Sequence, residues 1–342
     1  MIAEKSENGT APSQSLLSKR QIPWLRLGSS LLLSILGLWF VTRDADLAEI
    51  RIALAQSRPQ YIVLGLAIII VTIMAKASRW QLMFHPREDA PSFGHLFWAL
   101  SLGQLVNTAV PFLRLGEVAR VYDLGVQANH SRARALGTLV VEKVLDLIML
   151  VLTLAFLLPF LVIPDFVSQS GLVMAVAGLL ALLALIVIAT RANLALRLIK
   201  AAAAPLPQPV RDRLLPIVVT GLEGLSALRS ARTVFILLIA SAAIALLSIA
   251  TPWVLFPALG ISLGLVPAAA IHVVLTVGTL PPSTPAKVGV FEFLVAFMLH
   301  FFGIENSAVI LTYTIIYHLV VVTPQIVLGG LAAARRTGLK DD

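Results

Sequence analysis

Long apolar runs separated by short charged segments dominate this chain. They fall at 23–41, 61–77, 93–113, 137–163, 171–190, 234–256, 263–280, 288–302 and 308–331. Several reach the roughly 20 residues that a helix needs to cross a ~30 Å hydrocarbon layer, and their length excludes the ~10-residue strands of a membrane barrel. Lipid offers backbone N–H and C=O groups no other partners, so such runs fold as helices. The pattern predicts an all-α polytopic membrane protein. One transmembrane domain is expected over 23–332, between a polar, disordered cytoplasmic tail at 1–22 and a cytoplasmic tail at 333–342.

Lysine and arginine set the sides. With Lys5, Lys19 and Arg20 cytoplasmic, two crossings bring the chain back inside at Lys76, Arg79 and Arg87. If 93–113 then spanned, Arg114, Arg120, Arg132 and Arg134 would all lie outside, against the rule. A segment that enters, turns near Pro111 and returns removes the conflict. The basic stretch 191–232, with seven Lys or Arg, is then cytoplasmic and amphipathic. In the last third, 263–302 must start and finish outside. Its middle, TLPPSTPAKVG, carries Pro281, Pro282 and Pro285, which neither donate to nor continue a helix. The expected architecture is about six full spans plus two Pro-broken re-entrant hairpins entering from opposite sides. That pattern points to an inverted-repeat transporter with its site near mid-membrane. Arg43, Arg51 and Arg58 in the first outer loop run against this orientation.

Composition adds the exclusions. The 342 residues are 58% hydrophobic and 13% charged, with a mean hydropathy of +0.92, beyond what a soluble surface tolerates. The net charge of +8 sits between apolar runs, where it sets orientation, so no nucleic-acid partner is expected. There is no cysteine, hence no disulfide, thiolate metal site or cysteine nucleophile. His272, His300 and His318 lack metal-ligand spacing and read as packed or interfacial. Trp24, Trp39, Trp80, Trp98 and Trp253 read as an aromatic belt, and Gly221–Leu225 as part of a surface helix resting on anionic lipid. No phosphate-cradling loop with its lysine is present, so neither nucleotide nor any other cofactor is expected.

Candidate chemistry gathers at 105–146. Ionisable groups against a bilayer are costly and mark either a functional site or a satisfied internal network. Arg114 and Arg120, with N–H groups exposed at the helix start near Gly116, suit an anionic phosphate. Glu117 and Arg120 share a helical face, and so do Glu142 and Asp146, with Lys143 beside them. Two readings stand: a path for a lipid headgroup, or charges that merely neutralise one another. Asn107 either caps backbone freed at Pro111 or meets the ligand. Gly116, Pro111, Pro281, Pro282, Pro285 and Gly289 shape the turns, while Lys287 and Glu292, five apart, each need another partner.

The order N-x-x-x-P-x-x-R-x-G-E-x-x-R (Asn107 to Arg120), V-E-K-x-x-D (Glu142, Lys143, Asp146) and LPPSTPAKVGVFE (Leu280 to Glu292) resembles the transmembrane region of lysylphosphatidylglycerol synthases and the stand-alone, flippase-like UPF0104 group. The likeness runs from about Trp24 to Leu331. It implies movement of a polar-headed lipid between leaflets, of phospho-, glyco-, aminoacyl- or hopanoid type. With 11 residues after Leu331, the aminoacyl-transferase domain of the two-domain synthases is expected to be lacking. The late turn departs from the family's usual P-G-G-I-G, with Ala286 and Lys287 in place of glycines, and Lys143 replaces an arginine. Two rivals remain beside the non-enzymatic reading: a membrane-embedded enzyme using Glu117, Glu142 or Asp146, and a non-transporting partner of a lipid-synthesis enzyme. Localisation in the inner (cytoplasmic) membrane, with both termini cytoplasmic, follows from the charge pattern.

Overall fold

A computed structural model of the chain describes residues 32, 34–39, 42–43, 46–84, 90–110, 115–127, 130–160, 224–280 and 284–338, with scattered positions between 176 and 222. Its helices are α1 (Leu47–Ala55), α2 (Pro59–Leu82), α3 (Phe93–Ala109), α4 (Leu115–Gln127), α5 (Arg132–Leu157), α6 (Ala231–Leu255), α7 (Leu265–Gly278), α8 (Val290–Phe301) and α9 (Ser307–Gly338). No strand occurs among the described residues. Local chemistry sets the starts. The side chains of Asp46, Ser92, Ser131 and Ser230 each accept a first-turn N–H, and Pro59 opens α2, where a missing donor costs nothing.

Among the described residues, three helical stretches are long and apolar enough to cross a bilayer: Pro59–Leu82, Ala231–Leu259 and Ser307–Arg336. Their outer faces carry exposed Val63, Leu246 and Leu319, each more than half exposed, which in water would be an aggregation surface and in lipid is a solvated one. The apolar runs at 23–41 and 171–190 lie largely outside the described residues, as do the tail at 1–22 and most of 191–232. α9 continues past the apolar run to Gly338.

Two halves pack in the same way. α2, α3, α4 and α5 follow one another as α6, α7, α8 and α9 do, and the contacts correspond pair by pair. α2 lies on α3 as α6 on α7, α3 on α4 as α7 on α8, α4 on α5 as α8 on α9, and α3 on α9 as α7 on α5. The halves meet through α2 and α6, which run antiparallel. Arg79 bonds Ser241, Gly65 packs on Leu255, and the Arg58 N–H donates to the Ala258 carbonyl. The short helix pairs α3–α4 and α7–α8 therefore start from opposite ends of the bundle.

The helices of both pairs are short. At 1.5 Å per residue the 17 residues of α3 cover about 25 Å and the 12 of α8 about 18 Å. α3 and α4 approach so closely that a Cβ on Gly116 would strike the Gly103 carbonyl and the Asn107 side chain, so glycine is required there. In the other pair the turn is a 3₁₀ segment, Pro285–Lys287, in which Ala286 and Lys287 adopt φ of 53° and 63°. These are the two positions where the family's glycines are replaced, and left-handed backbone strains a residue with a Cβ.

Three sequence expectations need correction. Lys76 and Arg79, read as orientation charges at the cytoplasmic surface, stand within α2, and Arg79 is buried. Trp80 is buried rather than part of a belt, its Nε1–H donating to Thr138 at 2.8 Å, because Arg120 needs a platform there. Gly224 and Leu225 do not rest on a lipid surface. Gly224 abuts the backbone of Arg134 to Thr138 and Leu225 is buried, since a side chain at 224 would push α5 away.

Ala286→Gly is expected to stabilise the protein by about 1 kcal/mol by relieving φ strain. Ala270→Gly, inside α7, should cost about as much. Thermal midpoints of the purified variants in detergent read both signs, and equal destabilisation would refute the strained turn.

Candidate functional site

The charges singled out in the sequence converge where α2, α3, α4 and α5 meet. Glu117, in the first turn of α4, accepts from Asn107 Nδ2 at 3.2 Å and pairs with Lys143 Nζ at 3.1 Å. The other end of the Asn107 amide accepts the Gly116 N–H at 2.8 Å, so one residue of α3 fixes both the start of α4 and its glutamate. One turn on, Arg120 pairs with Glu142 of α5 at 2.9 Å, its guanidinium lying 4.9 Å from the centre of the Trp80 ring. Asp146 pairs with Arg79 at 2.8 Å, and Arg79 also donates to Ser241 at 3.0 Å, which ties the site to α6.

Glu142 stands ten residues into α5, about 15 Å along the helix from its start at Arg132. A hollow of about 160 Å³ opens there, lined by Asn107, Gly116, Glu117, Arg120, Glu142, Lys143 and Asp146, together with Lys76 and Gln104. Exposure is graded: Arg120 and Glu142 are buried, the Glu117 side chain is 22% exposed and that of Lys143 52%. Arg114 and Pro111, expected at the head of this site, lie outside the described residues, as do Pro281 and Pro282.

Lys287 and Glu292 do not join this cluster. Glu292 accepts the Gly289 N–H at 2.6 Å and binds His318 of α9, whose other ring nitrogen faces the Ala286 carbonyl at 2.9 Å. Both partners of His318 are acceptors, so each ring nitrogen is placed to donate. Lys287 Nζ reaches Thr279 at 3.0 Å. Together with Pro285 and Gly289, these groups lock the second turn. The correspondence between halves extends here: Glu117 and Glu292 are each the third residue of their helix, and each binds a basic residue, Lys143 or His318, placed alike in the helix that follows.

Sequence reasoning missed Lys76, Arg79, Trp80 and His318 as members of these networks. The signal for Lys76 was present, an ionisable residue inside the apolar run 61–77, which at membrane depth is itself a marker. No such signal tied His318 to Glu292, 26 residues away and across a turn. Among the described residues no group of three or more His, Asp or Glu is placed to hold a metal ion.

Fold and site together define a helical membrane protein with ionic side chains paired between its helices, beside the closely packed short helices α3 and α4. The chain belongs to the family of the lysylphosphatidylglycerol synthase transmembrane region, whose model matches residues 29–329. It is also similar to a UPF0104 membrane protein of Methanocaldococcus jannaschii, 25% identical over 158 residues, 46% of this chain and 47% of that one. The chain thus matches about half the length of this curated relative. No solved structure matches.

Removing one member of the buried pair should cost about 3–5 kcal/mol, because it strands a charge. Arg120→Met and Glu142→Met are each expected to lower the SDS-denaturation midpoint sharply, and the double variant to regain most of the loss. A double variant as unstable as the sum of the singles would show that the two residues are not coupled.

Proposed function

We propose that this protein moves a polar-headed lipid between leaflets, its headgroup entering the charged hollow while the acyl chains stay in lipid. The observation that carries this reading is the hollow itself: ion pairs between the helices, graded from buried Arg120–Glu142 to half-open Lys143, beside the short helices α3 and α4. The proposed topology is an inverted repeat with α3–α4 and α7–α8 as opposed re-entrant hairpins, supported by the antiparallel α2–α6 contact and the matched packing of the halves. Arg132, Arg134, Arg229, Arg232, Arg335 and Arg336 gather at one end of the helices, and the bias of basic residues makes that end cytoplasmic, in a cell inner membrane with both termini inside.

Each carboxylate of the hollow is engaged by a cation, which favours electrostatic guidance of a headgroup over acid–base chemistry. Family membership supports lipid handling, and the headgroup type belongs to the same proposal.

Reconstituted in vesicles, the protein is expected to speed the inward and outward exchange of a fluorescent phospholipid without changing its mass. Glu117→Gln keeps the shape but releases Lys143, and should slow exchange about tenfold with expression intact. A lipid of altered mass would point to an enzyme. Absence of exchange by the wild-type protein would remove the transport reading.

A further inference from the structure

Three hollows meet at one side chain. The one beside the ion pairs, about 160 Å³, adjoins a second of about 190 Å³ between α2, α5, α6 and α7, and a third of about 160 Å³ reaching α3 and α9. Lys76 lines all three, and each hollow shares a further residue with the next: Asp146, His272 or Gln104. The ammonium therefore stands where space from the first half of the chain runs into space from the second, beside the antiparallel contact of α2 and α6.

A charge inventory singles out the same residue. The cations here are Lys76, Arg79, Arg120 and Lys143, and the carboxylates are Glu117, Glu142 and Asp146. Each carboxylate is held by one of the other three cations, at 2.8 to 3.1 Å. Lys76 makes no hydrogen bond or ion pair among the described residues, so the cluster carries one positive charge in excess. A second donor is unspent, the Nε of Arg120, a residue only 4% exposed that lines the first hollow. The nearest opposing charge, that of Asp146, is already bonded to Arg79, and a buried ammonium with no direct ion pair is costly, so a single anionic group would offset that cost. The space holds a phosphate with some of its water, since a water occupies only about 30 Å³ of liquid.

We infer that Lys76 receives one phosphate-type anion at the junction of the three hollows, and that this anion is the phosphodiester of a lipid headgroup. The inference rests on the lipid-handling reading for the identity of the anion and on the charge inventory for its place. It makes Lys76 a binding residue of the site, with Arg120 Nε as the second donor within reach of the same hollow.

The test is binding, read separately from transport. Wild-type protein, Lys76→Arg, Lys76→Gln and Lys76→Met are purified in a neutral detergent and titrated with phosphatidylglycerol, with phosphatidylcholine and with inorganic phosphate, following retained lipid by native mass spectrometry and the thermal midpoint. The wild-type protein and Lys76→Arg are expected to retain phospholipid, and Lys76→Gln and Lys76→Met to bind it about tenfold more weakly while melting no lower in the absence of lipid, a loss of one charge-assisted contact. Undiminished phospholipid binding by both neutral variants would overturn the inference. If one neutral variant does not fold, the other decides. Inorganic phosphate that competes at the concentration of the lipid would overturn the lipid assignment and leave a site for a free anion. Binding through Lys76 by a wild-type protein that exchanges no lipid would remove the transport reading and leave the site.

Discussion

Ion pairing inside a low-dielectric layer is the constraint on which this structure depends. A lone charge at that depth is too costly to keep, and a pair survives only when its geometry is good and its remaining donors are used. Arg120 shows how the fold meets the condition: Glu142 on one side, the Trp80 ring beneath, and Trp80 itself held by Thr138. Three helices, α2, α4 and α5, must arrive in register for that contact. Arg79 extends the network to α6 through Asp146 and Ser241 and so joins the halves of the chain.

The broken helix pairs provide what continuous spans could not. A helix end placed inside the layer leaves N–H groups without partners. Asn107 takes the one at Gly116 and Glu292 the one at Gly289, side chains doing what water does elsewhere. Close approach is the second requirement, met by Gly103 against Gly116 in one pair and by Gly278 against Leu294 in the other, while Gly37 packs on the Gly289 carbonyl from outside that pair. The helical stretch at 34–39 also bonds the second turn through Ser34 and Thr284, 3.1 Å apart, so that turn is held from two sides.

Much of this was legible in the sequence. Run lengths fixed the helical class, and the prolines at 111 and 281–285 marked the places where helices stop. The charges from Asn107 to Asp146 were singled out because lipid makes them conspicuous. Their pairing was not legible, since Glu117 had Arg120 as a plausible partner one turn away and instead meets Lys143 on another helix. Lys76 and Arg79 were misassigned for a related reason: a basic residue near the end of an apolar run reads as a membrane-surface anchor unless its buried surroundings are known, for Arg79 its pairing with Asp146. Trp80 was lost in the same way, because an aromatic belt and a buried platform leave the same one-residue signature.

The two halves share a framework but not a chemistry. Glu117–Lys143 and Glu292–His318 are the same device at corresponding places, a first-turn glutamate tied to a base on the following helix. In the second half the tie is shut, with both side chains at or below 10% exposure and Phe291 stacked on the imidazole 4.5 Å away. In the first half it is half open and bordered by four more ionic side chains. Where Arg120 and Glu142 stand in α4 and α5, the corresponding stretches of α8 and α9 offer Val295 and Tyr317, both packed in the apolar core. Matched packing makes the framework serve both ends of the bundle alike, and the unequal side chains then give it a polar end and a sealed one.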